Sequence, residues 1–583
     1  MSDPIRHECA VAMAVLRKPA AAAGDYGGTK LSLLLEKQHN RGQDGAGAAV
    51  VYSDPAPGAP PFWIAKSASA TPLADILAAI GKRCAASGAP AGGRIFLGHL
   101  RYATFGKNDP AFCHPFAHAS SGLAGTLLLA GNFNLSNAGE LFDAYSRCGS
   151  FPTSMADGYL MAELVARQLE KGMDVPQALA AALAGADGAW MLCGATGDGR
   201  AFATRDPLGI RPGFYFVDDA VVAVASERPA IQAAFDVPPE AVRELPPGSA
   251  LTVSPGGEVR IAELFPSPRP SPRPCSFERI YFSRANDAAI HRERKALGAA
   301  LLPRILEAAD APSGDIFFSY IPNSARIAFH GLLEALIKDA FLHTGGMVSG
   351  CGRQTSAAGV RSPESEVFQS FPRFGEVIVK DAKFRTFIAD AAARRDFYKH
   401  VYDVTYGLLR AGRDTLVVLD DSIVRGNTMK NAILPMLDRL GPKRIVIASS
   451  APPVRYPDCY GIDMSTLGEL VAFKALANLL GPDAGRELRA AASAPSAPSA
   501  LAALYARFGE KEHCAEIARL LVPQGMKAEV KVVYQTVEDL RRCLGNDAAG
   551  DWYFTGDYPT PGGCKVLRKA IENHLGHKTG RSY

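Results

Sequence analysis

The sequence lacks a long apolar run, an excess of charge of one sign and any paired cysteine motif. Its 583 residues carry 63 Lys and Arg against 59 Asp and Glu, so the net charge is only +4. Such a balance gives no reason to expect a nucleic-acid or anionic-membrane partner. No stretch approaches the roughly 20 apolar residues of a membrane span, and no apolar signal segment follows the first residues. We therefore expect a cytoplasmic protein that contacts neither membrane nor nucleic acid.

The eleven cysteines are scattered, and none belongs to a C-x-x-C pair. This usage is typical of a reducing compartment and indicates neither a disulfide framework nor a zinc site. Cys9 stands apart because only eight residues precede it. If the Glu8–Cys9 bond is cut, one residue carries both a thiol and an α-amine that can act as its general base. We therefore predict that residues 1–8 are a propeptide; the alternative is that Cys9 is an ordinary buried thiol.

A proline-rich segment, Pro266–Pro274, divides the chain. Proline at alternate positions excludes helix and sheet ladders and favours an extended polyproline II linker. Before it, strand-like runs such as 127–129 and 220–224 are interrupted by helical patterns such as 158–169, which predicts two sheets with helices outside. After it, strands alternate with helices, which predicts a parallel, doubly wound sheet. In this second half we predict strands at 315–318, 376–379, 415–419 and 444–448 and helices at 327–338, 394–409 and 428–440.

The last part of the chain is the least informative. Residues 490–501 (AAASAPSAPSAL) are of low complexity, a charged helical pattern follows at 504–521, and 529–534 (EVKVVY) is typical of one strand. No role follows from these patterns, and we treat residues 476–583 as a C-terminal extension.

The strongest local motif follows a buried strand, Leu416–Leu419. Two carboxylates, Asp420 and Asp421, close the strand, and a short loop of Ser, Gly, Asn and Thr then opens a helix. Loop amides ahead of a helix form an anion cradle, but adjacent carboxylates repel a phosphate unless they bind sugar hydroxyls or a cation. The motif therefore indicates a phosphorylated ribose with Mg²⁺. It is not a Walker motif, because no Lys follows Gly426; the alternative is an acidic helix cap.

This segment resembles the phosphoribosyl pyrophosphate (PRPP) motif of the type I phosphoribosyltransferases. The resemblance implies that Asp420 and Asp421 bind the ribose hydroxyls and, directly or indirectly, Mg²⁺. It implies a phosphate loop made of Ser422, Arg425, Gly426, Asn427 and Thr428. The mobile loop of that family corresponds to Lys380–Ile388, which is one residue shorter here, and its Lys380 and Arg385 would meet the charge of the pyrophosphate.

The first half carries the residues that glutamine hydrolysis requires. The chemistry needs a nucleophile, an oxyanion hole, a cation for the α-carboxylate and an anion for the α-ammonium group. Cys9, Asn132 with a neighbouring backbone N–H, Arg101 and Asp157 supply that set. Taken alone, an arginine such as Arg101 is more often part of a surface ion pair, and an asparagine such as Asn132 is more often a turn residue.

The order of these residues resembles the N-terminal-nucleophile glutaminase domain of the class II glutamine amidotransferases. The resemblance implies that Cys9 is the nucleophile, that Asn132 and the N–H of Phe133 form the oxyanion hole, and that Arg101, Tyr102 and Asp157 bind glutamine. Ala10 and Phe133 stand where that family has glycine. Together the two resemblances imply an α/β protein: an αββα sandwich at 9–265, followed by a type I phosphoribosyltransferase parallel-sheet domain at 275–475.

The two domains imply an enzyme that makes 5-phosphoribosylamine, glutamate and pyrophosphate from glutamine, water and PRPP, the first committed step of purine synthesis. Ammonia would cross between the sites through an apolar passage closed to bulk water. The resemblance also implies Mg²⁺ as cofactor, a homotetramer, and purine nucleotides as inhibitors. Two alternatives remain: a PRPP-sensing regulator with a non-catalytic phosphoribosyltransferase domain, and a glutaminase that feeds a different acceptor.

Many proteins that combine these two domains hold an iron–sulfur cluster on four cysteines. Of the corresponding positions only Cys275 is a cysteine here, and Asp458, Gly550 and Tyr553 stand at or beside the others. A cluster of this kind needs about four thiolates, and we therefore expect no iron–sulfur cluster.

Overall fold

The computed structural model describes residues 9–18, 26–52, 60–85, 93–103, 109–147, 154–265, 270–348, 372–380, 402–545 and 550–578. The predicted propeptide, residues 1–8, and Arg385 of the predicted mobile loop lie outside the described residues. Part of the predicted linker is described, and residues 270–274 belong to no helix or strand.

The strands of the first half form two antiparallel sheets. They are β1 (Ala10–Leu16), β2 (Gly45–Tyr52), β3 (Phe62–Ser67), β4 (Gly93–Arg101), β5 (Phe116–His118), β6 (Leu127–Leu135), β7 (Gly188–Thr196), β8 (Ala201–Arg205), β9 (Phe214–Val217), β10 (Val221–Ala225), β11 (Arg243–Glu244), β12 (Ser249–Val253) and β13 (Val259–Glu263). One sheet has the strand order β11-β9-β10-β1-β4-β2-β3, and the other has the order β13-β12-β8-β7-β6-β5.

The two sheets pack face to face, and helices cover their outer faces. Side chains alternate along a strand, so Val11 and Met13 of β1 point to the core between the sheets and meet Met191 of β7. Ala12 and Ala14 point the other way, toward Leu31 and its neighbours on the helix outside. The outer helices are α1 (Tyr26–Lys37), α2 (Pro72–Ala85), α3 (Ala138–Arg147), α4 (Asp157–Glu170), α5 (Val175–Leu183) and α6 (Arg228–Phe235). The predicted αββα sandwich is confirmed.

The second half contains a five-stranded sheet in which every pairing is parallel. Its strands are β14 (Ile316–Tyr320), β15 (Arg373–Phe374), β18 (Thr415–Asp420), β19 (Arg444–Ser449) and β20 (Glu529–Tyr534), in the order β15-β14-β18-β19-β20. The helices of this half are α7 (Ala288–Ala300), α8 (Leu302–Ala309), α9 (Arg326–Val348), α10 (Leu434–Asp438), α11 (Val471–Leu480), α12 (Ala484–Ser493), α13 (Ala497–Tyr505), α14 (Glu510–Leu521), α15 (Val537–Leu544), α16 (Trp552–Thr555) and α17 (Pro561–Leu575). Apolar clusters cover both faces of the sheet, as a doubly wound fold requires.

Two predicted elements of this half are corrected. The strand expected at 376–379 begins later, as β16 (Ile378–Lys380), and pairs antiparallel with β17 (Tyr402–Val404) outside the parallel sheet. The helix expected at 394–409 is wrong over its described part, since residues 402–404 form β17 and no helix follows up to 409. Short apolar runs do not distinguish a helix from a strand by periodicity alone, and here pairing with β16 decides.

The boundary placed at 475/476 cuts through the parallel sheet and is corrected. β20 lies beside β19 as an edge strand, with Val446 opposite Lys531, and α14 packs against it through Ile517. The low-complexity stretch 490–501 is largely helical, because it spans the end of α12 and the start of α13, whose N-cap Ser496 accepts the N–H of Ser499. The single helical pattern predicted at 504–521 is interrupted at 506–509.

None of the helices among these described ranges is both long and apolar enough to cross a membrane.

Candidate functional site: two centres joined by one segment

A cavity of about 450 Å³ collects every residue that the sequence predicts for glutamine. It is lined by Cys9, Arg101, Tyr102, Asn132, Phe133 and Asp157, together with residues that include His114, Asn134 and Gly461. Strand pairing explains part of this convergence. β1 and β4 run antiparallel with Ala10 opposite Leu100, so the start of β1 and the end of β4 carry Cys9 and Arg101 to the same edge.

The Cys9 thiol is held against the backbone of Tyr102, whose N–H donates to Sγ at 3.3 Å. Burial raises the pKa of Cys9 to about 11, although this hydrogen bond and the nearby Arg101 charge oppose the rise. The thiol is therefore protonated near neutral pH, and it needs a base to become a nucleophile. Only a chain cut before Cys9 offers an α-amine on the same residue.

The open edge of β6 offers two hydrogen-bond donors to the cavity. β5 pairs with β6 only as far as Leu129, so Gly131 directs its N–H to a side chain. Because alternate residues of an antiparallel strand direct their N–H to the same edge, the N–H of Phe133 faces this edge too. The Asn132 side chain is 3% exposed, and its Nδ2 has no acceptor among the described residues. A buried amide donor without an acceptor suits a site that stabilises an oxyanion.

A cation and an anion face the same thiol. Arg101 is the last residue of β4, and Asp157 is the first residue of α4, where its Oδ1 accepts the N–H of Gly158 at 2.8 Å. The charge of Arg101 lowers the pKa of Cys9, and the charge of Asp157 raises it. Opposite charges that line one small cavity match the zwitterionic end of an amino acid.

The cavity has further lining residues that the sequence reasoning did not assign to the site, and Asn134, His114 and Gly461 are among them. Asn134 lies two residues after Asn132, and its Nδ2 donates to the carbonyl of Cys459 at 2.6 Å. His114 and Gly461 lie in segments whose local sequence carries no signal of a glutamine site. Gly461 belongs to the second half of the chain, so the cavity is completed by both halves.

The predicted phosphate loop lies at the carboxyl end of β18, between two of its parallel neighbours. Gly426 has φ +76°, and a Cβ there would come within 2.3 Å of Leu521 Cδ2. Glycine is therefore required by both backbone conformation and space. The N–H of Lys430 donates to the carbonyl of Gly426 at 2.9 Å, and a helical segment opens with Met429–Ile433. Ligands of parallel sheets bind at this edge, where loop amides precede a helix.

The carboxylates of Asp420 and Asp421 are both buried next to each other, which disfavours their charged forms. Burial and the Asp421 charge raise the pKa of Asp420 well above its ordinary value. Burial also raises the pKa of Asp421, although a hydrogen bond with Ser324 and the charge of Arg294 oppose it. Asp421 Oδ2 is buried without a hydrogen-bond partner among the described residues. An unpartnered carboxylate oxygen fits sugar hydroxyls or a divalent cation, although no cluster of three or more metal-ligating side chains occurs in the described ranges.

Arg425 of the loop is bound by other groups of the protein, namely Asp463 and Glu469. Its Nη2 donates to the carbonyl of Asp463 at 2.8 Å, and its Nε lies 2.7 Å from Glu469 Oε2. Asp463 also accepts the hydroxyl of Tyr102 at 3.2 Å. The segment 459–463 therefore touches the glutamine cavity at one end and the phosphate loop at the other.

Lys380 ends β16, and its Nζ lies 5.9 Å from the ring centroid of Tyr402. Burial raises the pKa of Tyr281, and the charges of Asp421 and Tyr402 raise it further. Tyr281 thus experiences the charge of the carboxylate pair and that of Tyr402 on the hairpin that carries Lys380.

The residues that stand at or beside the expected cluster positions contact one another or their sequence neighbours. Cys275 Sγ lies 3.3 Å from the hydroxyl of Tyr553, and Cys275 forms a β-bridge with Gly550. The Asp458 carboxylate accepts the indole N–H of Trp552 at 2.8 Å. One thiol and a set of groups already hydrogen-bonded to one another do not fit a four-thiolate cluster.

The chain is similar to known amidophosphoribosyltransferases, although no family model matches it. It is 30% identical over 387 residues to the amidophosphoribosyltransferase of Bacillus subtilis, a match that covers 65% of this chain and 70% of that protein. It is 27% identical over 396 residues to that of Methanocaldococcus jannaschii, covering 65% and 74%. Among solved structures, the glutamine PRPP amidotransferase of B. subtilis complexed with ADP and GMP superposes with a TM-score of 0.65 at 24% identity, covering 95% of this chain and 97% of that one.

Proposed function

The chain belongs to the amidophosphoribosyltransferase family, and we propose that the two centres described above divide the reaction of that family between them. The enzyme is a glutamine-dependent pentosyltransferase of purine biosynthesis. It converts glutamine, PRPP and water into 5-phosphoribosylamine, glutamate and pyrophosphate. The first centre releases nitrogen from glutamine, and the second places that nitrogen on the ribose.

In the first centre, Cys9 attacks the side-chain amide of glutamine. Its α-amine, freed by loss of residues 1–8, takes the thiol proton, which is necessary because burial raises the pKa of the thiol to about 11. Asn132 Nδ2 and the N–H of Phe133 stabilise the oxyanion. The amine then protonates the leaving ammonia and activates water, which releases glutamate. Arg101 and Asp157 hold the carboxylate and ammonium groups of the substrate.

In the second centre, Asp420 and Asp421 bind the ribose hydroxyls of PRPP, and the loop from Ser422 to Thr428 binds the 5′-phosphate. Mg²⁺ held beside the same carboxylates would offset the negative charge of the pyrophosphate. Lys380 adds a positive charge at the neighbouring hairpin, and Arg385 is proposed for the same role. Ammonia crosses from one centre to the other along the segment 459–463, which contacts both.

One observation supports this proposal most strongly. Residues from four separate parts of the chain, at 9, 101–102, 132–133 and 157, line a single cavity. A PRPP-sensing regulator has no need of a nucleophile, an oxyanion hole and a pair of opposite charges in one cavity. An enzyme that hydrolyses glutamine needs all of them.

The decisive experiment replaces Cys9 with Ser and measures glutamate and pyrophosphate in the same reaction mixture. We expect Cys9→Ser to lose glutamate production and glutamine-dependent pyrophosphate release, because a serine hydroxyl at this position is a poorer nucleophile. Pyrophosphate release with added ammonium should persist, since the second centre is untouched. Loss of both activities in a folded variant would contradict the division of labour.

The remaining parts of the proposal concern maturation, domains and assembly. We propose a propeptide at 1–8, a glutaminase domain at 9–265 and a phosphoribosyltransferase domain from 275 that includes β20. Intact-mass measurement of active protein tests the first of these, because a fully active chain that still begins before Cys9 would exclude the α-amine base. The homotetramer, the cytoplasmic location and inhibition by purine nucleotides follow the family resemblance. Light scattering tests assembly, and pyrophosphate release with and without GMP tests inhibition.

A further inference from the structure

Two buried histidines bind both backbone polar groups of Gly131, the residue that precedes Asn132. The N–H of Gly131 donates to His114 Nδ1 at 3.2 Å, and the carbonyl of Gly131 lies 3.0 Å from His99 Nε2. The two imidazole rings are stacked, with centroids 4.1 Å apart and planes 12° from parallel. Gly131 is followed directly by Asn132 and Phe133.

The histidines replace a missing strand. β5 pairs with β6 as far as Leu129, and the next residue whose polar groups face that edge is Gly131. Without a partner, its buried N–H and C=O would each lack a hydrogen bond, which is costly inside a protein. His114, two residues before the start of β5, and His99, on β4 of the facing sheet, supply these partners. On this edge the last part of β6 is therefore held by side chains, while β7 pairs with its other edge through Leu135.

The hydrogen bonds define the protonation of each ring. His114 Nδ1 accepts the N–H of Gly131, so the proton of a neutral His114 is on Nε2. His99 Nε2 donates to the carbonyl of Gly131, so His99 Nδ1 carries a lone pair, and it has no partner among the described residues. Burial lowers the pKa of His99 to about 3 and lowers that of His114 well below its ordinary value. Both rings are neutral near pH 7 and act as fixed hydrogen-bond partners.

His99 also connects the two sheets that carry the reacting groups. It lies on β4 opposite Val11 of β1, two residues after Cys9, while the oxyanion donors lie on β6 of the other sheet. The distance from the nucleophile to the oxyanion hole is thus set across a sheet-to-sheet contact. A shift of about 1 Å at such a site can reduce a rate about 10²-fold.

We propose that His99 and His114 are positioning residues that fix the oxyanion hole of the glutaminase centre through the Gly131 peptide. This inference rests on the proposed function, because it presumes that Asn132 and Phe133 stabilise an oxyanion. Neither histidine exchanges a proton with the substrate. Their effect is confined to the transition state, since they orient donors that act when negative charge develops.

The test compares variants that keep or remove each hydrogen bond. His114→Asn keeps an acceptor close to the position of Nδ1, whereas His114→Leu removes it. His99→Gln keeps a donor close to the position of Nε2, whereas His99→Leu removes it. For each variant three quantities are measured: kcat and KM for glutamine hydrolysis, ammonium-dependent pyrophosphate release, and the rate at which iodoacetamide alkylates Cys9. Alkylation is the key control, because it needs the Cys9 thiolate but forms no oxyanion.

We expect each Leu variant to lose about 10²-fold in kcat for glutamine, with little change in KM, in ammonium-dependent turnover and in Cys9 alkylation. The Asn and Gln variants should recover most of the lost kcat. If a Leu variant does not fold, the corresponding Ala variant, which admits water, takes its place in the comparison.

Several results would overturn the inference. Leu variants with wild-type kcat would do so, and so would a loss of Cys9 alkylation parallel to the loss of kcat, because that pattern reports a general distortion of the centre. Failure of Asn and Gln to restore activity would also count against it. A wild-type enzyme without glutaminase activity would instead refute the proposed function.

Discussion

Removal of the Arg41 side chain should destabilise the contact between the two halves of the chain more than any exposed ion pair could. Arg41 is fully buried, and its Nε lies 2.7 Å from Glu227 Oε1 in the same half. Its Nη1 and Nη2 donate to the two carboxylate oxygens of Glu278, in the second half, at 2.9 and 2.6 Å. One guanidinium thus forms ion pairs with two buried carboxylates that belong to different halves.

The expected loss of stability can be estimated from the two carboxylates that lose their cation in Arg41→Met. Two buried carboxylates would lose the cation that is hydrogen-bonded to both of them, and breaking a buried pair by removing one partner costs about 3–5 kcal/mol. A folding unit of this size shifts its Tm by roughly 2–4 °C per kcal/mol. We therefore expect the Tm of the transition that separates or unfolds these domains to fall by roughly 6–20 °C. Glu278→Gln should cost less, because Arg41 keeps its pair with Glu227.

Differential scanning calorimetry is the appropriate assay, since a chain with several domains need not unfold in one step. The matched control is Arg260→Met, which removes the same charge from an exposed pair with Glu258, where the side chains are 74% and 62% exposed. Exposed pairs contribute about 0–1 kcal/mol, so this variant should stay close to the wild type. A Tm for Arg41→Met equal to that of Arg260→Met would refute the reasoning.

Two further predictions concern pH and the phosphate loop. A hydrogen bond with Glu163 raises the pKa of His118 from 6.5 to about 8, so the stabilisation is complete below pH 6.5 and is lost as the pH rises through 8. The wild type should therefore lose about 1 kcal/mol relative to His118→Gln between pH 6 and pH 9 in urea titrations, and parallel curves would contradict this. Gly426→Ala should raise the KM for PRPP in ammonium-dependent assays, because both φ and space are unsuitable for Cβ there. Gly525→Ala, at φ +83° with open space around the glycine, shares only the backbone strain, and an equal effect of the two variants on KM would argue against a crowded phosphate loop.

Much of the candidate site could be predicted because its chemistry is local in the sequence. The strand, the two carboxylates and the loop from Asp420 to Thr428 follow one another directly, and each residue type has a definite use at a helix N-terminus. The glutaminase residues are farther apart, but the near-terminal position of Cys9 and the motif around Arg101 are still short-range signals. Strands such as β18 and β19 were predictable in the same way, from runs of apolar residues.

Other features could not be predicted, because they depend on which distant residues meet. The role of β20 as an edge of the parallel sheet follows from its pairing with β19, 85 residues earlier at Arg444 and Glu529. The strand character of Tyr402–Val404 follows from its pairing with β16. His114 becomes a partner of Gly131 only because β5 stops short of it.

The sequence by itself thus determined the two kinds of chemistry and the general architecture of each half, because motifs and hydrophobic periodicity act over a few residues. Only the tertiary structure decided how the two centres meet. The segment 459–463 and the ion pairs of Arg41 join parts of the chain that are hundreds of residues apart. The physical reason is that a hydrogen bond or a buried ion pair forms between whichever groups the packed sheets bring within about 3 Å of each other. The partners of such a contact depend on the folded structure and not on their separation in the sequence.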